Sequence, residues 1–89
     1  MNELVDHDWS IDLEHGEYEE NQELVIQDAL QAVERTSPGY YVNLVTPNGF
    51  GTPEEYLDPL LHELYGEKIK TRFIDQCGCG GYVLRVWKI

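Results

Sequence analysis

The sequence predicts an α+β fold: a two-layer sandwich in β-α-β-α-β-β order, with a four-stranded mixed sheet covered on one face by two helices. Three observations carry that expectation. Trp9, Ile11 and Leu13 alternate with polar residues, Val25 to Val33 repeat apolar positions at helical spacing, and two β-rich runs near the end flank a loop of only cysteine and glycine. Eighty-nine residues at 42% apolar content suffice for a single core, so residues 1–89 are read as one domain, with 1–7 expected to form a disordered tail.

The first strand covers Trp9 to Leu13, with Ser10, Asp12 and Glu14 facing the other way. Glu14 to Asn21 is acidic and broken by Gly16, hence a loop, and Asn21 is placed to cap the helix after it. Val25, Ile26, Ala29, Leu30, Ala32 and Val33 then form the apolar stripe of a helix running from about residue 22 to about residue 35, stopped by Thr36-Ser37-Pro38-Gly39. Tyr40 to Thr46 is rich in β-formers and is expected to be a strand buried on both faces. Thr52-Pro53-Glu54-Glu55 has the pattern of a helix start with a hydroxyl N-cap and proline in the first turn. Leu57, Leu60, Leu61 and Leu64 continue that helix, Asp58-Pro59 is expected to kink or restart it, and Gly66 to cap its end. Lys68 to Gln76 and Tyr82 to Trp87 read as a hairpin joined by Cys77-Gly78-Cys79-Gly80-Gly81. In it Ile69 and Phe73 face the helices, while Lys68, Lys70 and Arg72 form a cationic row on the open face, near Arg85 and Trp87.

The net charge of −11 and pI near 4.4 argue against nucleic acid as a partner, since phosphate backbones reward the opposite sign. The charge is uneven. Residues 1–35 hold one base against eleven acids, whereas residues 68–89 hold five bases against Asp75 alone. No apolar run is long enough for a membrane helix, and the first residues lack the basic and apolar regions of a secretory signal, so a cytoplasmic location is expected. Such an acidic chain also suits high internal salt, where like-charge repulsion is screened.

Candidate chemistry converges on the two cysteines. A tight turn explains glycine, but packing does not explain two thiols flanking a glycine at an exposed turn. As metal ligands, Cys77 and Cys79 supply two of the four donors of a closed zinc site; His7, His15, His62 and Asp75 are the nearest completions, and two chains could instead pool four thiols. Zinc, copper or an iron-sulfur cluster would be the cofactors of that reading; otherwise none is expected. As a redox or sulfur-carrying pair, the cysteines would form a strained, readily reduced disulfide, without the helix that follows a C-x-x-C motif and lowers its thiol pKa. Glu54, Glu55 and Glu63 read as a solvated helix face, and Ser10, Ser37 and the histidines lack nucleophile-base spacing, so no enzymatic activity is expected.

Asp8-Trp9-Ser10, Thr36-Ser37-Pro38-Gly39 leading into Val42 to Thr46, Pro53-Glu54 with Tyr56-Leu57, and Asp75-Gln76-Cys77-Gly78-Cys79-Gly80-Gly81 followed by Val83 and Arg85-Val86 together resemble the CGCGG family of small, mostly archaeal proteins. The resemblance spans roughly residues 8–87. It implies a RiPP-like role, that of a ribosomally made substrate modified after synthesis by a radical S-adenosylmethionine (SAM) maturation enzyme. The target would be Cys77, Gly78, Cys79, Gly80 and Gly81. Glycine Cα radicals are stabilised by the flanking amides, and a neighbouring thiol can close a thioether onto that carbon. Because the whole chain reads as folded, the fold itself is expected to serve as the recognition handle.

Overall fold

The computed structural model describes residues 4–76 and 81–89. Strand β1 (Trp9–Asp12) leads through a 3-10 turn (Gly16–Glu19) to helix α1 (Gln22–Arg35) and strand β2 (Tyr41–Thr46). A second 3-10 turn (Asn48–Phe50) precedes helices α2 (Pro53–Tyr56) and α3 (Asp58–Tyr65), a third (Gly66–Lys68) comes next, and strands β3 (Ile69–Gln76) and β4 (Tyr82–Lys88) end the chain. The sheet order is β1-β2-β4-β3; β1 and β2 are parallel and the other pairs antiparallel. A parallel pair needs a crossover, which α1 supplies. The α+β sandwich read from the sequence is the fold observed.

Helix α1 has the bounds that its apolar stripe indicates, and the Asn21 carboxamide oxygen accepts from the Leu24 amide at 3.1 Å. Its inner face, Val25, Ala29, Ala32 and Val33, packs on Val42 and Leu44 of β2, Leu84 and Val86 of β4, and Leu57 and Leu61. The second helical segment does restart at Asp58-Pro59: Leu57 ends α2 with its amide bonded to the Pro53 carbonyl at 2.9 Å, and its own carbonyl accepts from Leu61 at 2.9 Å. Gly66 caps α3 with φ of 56°, a conformation open to glycine.

Several expectations need correction. Strand β2 is not buried on both faces: Val42, Leu44 and Thr46 are buried, whereas Tyr41, Asn43 and Val45 are only half-buried. Helices cover one face of the sheet, so alternate residues of even a central strand reach the open side. The Thr52 side chain makes no cap hydrogen bond; its backbone carbonyl instead accepts from the Glu55 amide at 3.0 Å. Lys68 lies in the 3-10 turn before β3 rather than on the strand. Within the segment read as a tail, Val5 bridges Thr36 in parallel, its amide donating to the Arg35 carbonyl and its carbonyl accepting from the Ser37 amide at 3.0 Å. The Ser37 hydroxyl also donates to the Asp6 carboxylate.

Candidate functional site

The segment that carries both cysteines joins β3 to β4, whose pairing runs out to Gln76 and Tyr82. Cys77, Gly78, Cys79 and Gly80 lie outside the described residues; Gly81, the last residue of the motif, is described. The hairpin approaches the loop through a bulge between Phe73 and Asp75, which shifts the register by one residue. Below it, the Phe73 and Tyr82 rings contact each other with centroids 5.9 Å apart.

Gly81 is buried, and what surrounds it explains its identity. A Cβ there would lie 2.7 Å from the Thr46 carbonyl oxygen, a backbone atom that cannot give way cheaply, and 1.8 Å from Glu14 Oε2, so the carboxylate would also have to move. Gly81 is therefore a close-approach glycine, at which the carboxylate of a residue 67 positions earlier in the chain meets the root of the loop. Strand pairing brings Glu14 there. The Leu13 amide donates to the Val45 carbonyl at 2.8 Å, extending the β1 pairing by one residue, so Glu14 falls beside Thr46, whose strand partner is Tyr82.

Glu14 is 7% exposed, and its amide donates to Asp12 Oδ1 at 2.9 Å. His15 Nε2 stands 3.4 Å from Glu14 Oε1 and 3.5 Å from Asp12 Oδ2. These three side chains put one ligand atom each within 4.8 Å of one another, the group among the described residues with metal-ligand spacing. Of the histidines considered as ligand completions, His15 thus stands at the loop root. His62 lies on α3, bonded to Thr71 Oγ1 at 2.9 Å and 3.1 Å from Asp58 Oδ1, where it ties the helix to β3. Thr71 is five residues before Gln76, roughly 17 Å by strand rise. His7 is exposed near the opposite end of β1.

Two further hydroxyls border the site. Thr46 Oγ1 donates to the Tyr82 carbonyl at 3.4 Å. The Tyr56 hydroxyl is buried with no partner at hydrogen-bond geometry among the described residues. Burial pushes its pKa up, while the Thr46 hydroxyl beside it acts in the opposite direction. Nothing local in the sequence marks Glu14 or Thr46, because strand pairing alone brings them to Gly81, and Tyr56 comes to Thr46 from α2.

The molecule is thus an α+β protein whose last two strands are joined by the cysteine-glycine segment, with Gly81 set against a buried carboxylate. It belongs to the family described as "Putative radical SAM target protein", whose model matches residues 1–88. No curated protein and no solved structure matches the chain. Among the described residues no helix is long and apolar enough to cross a membrane.

Proposed function

We propose that the chain is a substrate protein whose Cys77-Gly78-Cys79-Gly80-Gly81 loop is modified by a radical SAM enzyme. Family membership supports the enzyme class, and the position of the motif supports the target: both thiols of the protein fall between a strand pair closed at Gln76 and Tyr82 and an anchor at Gly81. The step we favour is a thioether. The enzyme's deoxyadenosyl radical takes a hydrogen atom from a glycine Cα; the thiol sulfur then bonds to that carbon, releasing a proton to solvent and an electron to an acceptor on the enzyme. Gly78 and Gly80 are the favoured carbons, because each stands directly beside a cysteine and the Glu14 carboxylate crowds Gly81.

Co-expression with the radical SAM partner, followed by mass analysis of the peptide spanning residues 73–85, tests the reading. Each thioether removes a pair of hydrogens and survives reductant, whereas a disulfide of the same mass reverts. C77A/C79A should abolish the change and leave the fold intact, and an unmodified loop beside an active partner would overturn the proposal. A second reading, metal held through Cys77 and Cys79, draws support from His15, Glu14 and Asp12 at the loop root. It predicts stoichiometric metal and a melting temperature that falls with chelator.

A further inference from the structure

We propose that the open face of the sheet, centred on Arg85, is a docking surface for an acidic peptide segment of the enzyme that acts on the loop; the identity of that partner rests on the function proposed above. Register places Tyr41 and Asn43 of β2, Arg85 and Trp87 of β4, and Lys70 and Arg72 of β3 side by side on this face, away from the helices. The Arg85 guanidinium lies 4.1 Å from the Tyr41 ring centroid and 5.8 Å from that of Trp87. Its Nε donates to Asn43 Oδ1 at 2.8 Å, and Asn43 in turn donates to Ser10 Oγ at 3.1 Å. One of five N–H donors is used, so both terminal amino groups of a positioned fork remain available to a carboxylate.

The surrounding charges point the same way. Arg72 sits directly across from Arg85, a like-charge pair that costs stability, and Lys70 sits across from Trp87. In a chain with seventeen acids, no described carboxylate pairs with any of the three. Asp8 and Asp12, at the two ends of β1, serve backbone amides: Asp8 accepts from Tyr41 and Asp12 from Glu14. Charges on edge strands deter sheet-to-sheet aggregation, which accounts for Lys70 and Arg72 on β3. That reasoning does not reach Arg85, which is on the inner strand β4 and is held by two aromatic rings. At physiological salt the remaining acids are screened beyond about 8 Å, so the local field governs contact. A short acidic segment fits a patch on a molecule measuring 30 × 24 × 23 Å, whereas nucleic acid carries a charge every ~1.7 Å and would run on into acidic surface. Strands β3 and β4 also carry the loop, whose ends lie roughly 10 Å along β4 from Arg85 and roughly 20 Å along β3 from Lys70, so a partner bound here would reach its target along the same hairpin.

The test uses the full chain, isotope-labelled, titrated with a glutamate-rich peptide, and separately with a lysine-rich peptide and a single-stranded oligonucleotide. The acidic peptide should shift the resonances of Tyr41, Arg72, Arg85 and Trp87 and lose affinity as salt rises. K70E/R72E, both at exposed positions, should weaken it by about tenfold or more with the fold intact by circular dichroism. R85K should bind weakly even though charge is kept, because an ammonium cannot fork. Shifts mapping elsewhere, undiminished binding by K70E/R72E, or tighter binding of the oligonucleotide would overturn the surface. In co-expression, K70E/R72E should be modified less than wild type. Equal modification would remove the docking role and leave the loop as target. Binding on this face with no mass change on the loop would instead remove the modification and leave an acidic-peptide site.

Discussion

At the residue scale, Gly81 separates two meanings of a glycine-rich motif. Gly78 and Gly80 stand beside thiols in the sequence, where a Cα hydrogen is the chemical asset, but Gly81 is glycine because Glu14 and the Thr46 carbonyl occupy the space of a Cβ. Gly81→Ala should therefore destabilise the fold by roughly 1–3 kcal/mol, as overpacking does in a buried site. Urea denaturation of Gly81→Ala, Glu14→Ala and the double variant measures it. Removing the carboxylate relieves the closest contact and leaves the Thr46 carbonyl at 2.7 Å, so the double variant should fall short of the sum of the singles. Strict additivity would mean that Glu14 and Gly81 do not meet. The sequence does not reveal this contact, since nothing in a glutamate within an acidic loop signals a partner 67 residues away. The nearest hint is that Leu13 completes the β1 alternation and so carries the next residue to the strand's end.

At the element scale, local rules worked where the signal is local. The apolar spacing from Val25 to Val33 bounds α1, proline at position 59 breaks the second helix, and Gly66 ends it, because each depends on backbone geometry within a turn. They failed where a local pattern had competitors. Thr52 has the type and position of an N-cap, yet its side chain makes no cap bond, whereas the Asn21 side chain does. Asn21→Ala should accordingly cost about 1 kcal/mol, within the usual ~0.5–2 kcal/mol for a capping side chain, and Thr52→Ala roughly a few tenths. Denaturation midpoints compared at equal m-value check the contrast, and equal losses would place a cap at both helices. The bulge after Phe73 and the half-burial of Tyr41, Asn43 and Val45 escape any single-strand reading, because both are properties of pairing. The cationic row on Lys70 and Arg72, by contrast, is legible from simple alternation, and pairing adds Arg85 and its aromatic neighbours to it.

At the scale of the whole molecule, electrostatics decides how the fold responds to its solvent. The net charge is −11 within a radius of gyration of 12.0 Å, and among the described residues no Lys or Arg stands within 4.0 Å of a carboxylate oxygen, the ion pairs all involving histidine. The cations are spent otherwise: Arg35 and Arg85 lie over aromatic rings, and Lys88 Nζ donates to the Val33 and Glu34 carbonyls at the end of α1. Folding thus gathers carboxylates with little local pairing to offset their repulsion. Salt should stabilise the protein, since the screening length falls from about 30 Å at 0.01 M to about 3 Å at 1 M. A gain of about 1 kcal/mol would raise the melting temperature by roughly 4–8 °C for a domain of this size. Sodium and potassium chloride should act alike, because screening depends on ionic strength rather than on a bound ion. K70E/R72E takes the net charge from −11 to −15 and should steepen the rise with salt, even though it also removes the Arg72–Arg85 repulsion across the strands. A melting temperature that stays flat or falls with salt would show that favourable pairs outweigh the repulsion, and would return Lys70 and Arg72 to the interior charge balance of the fold instead of leaving them for a partner.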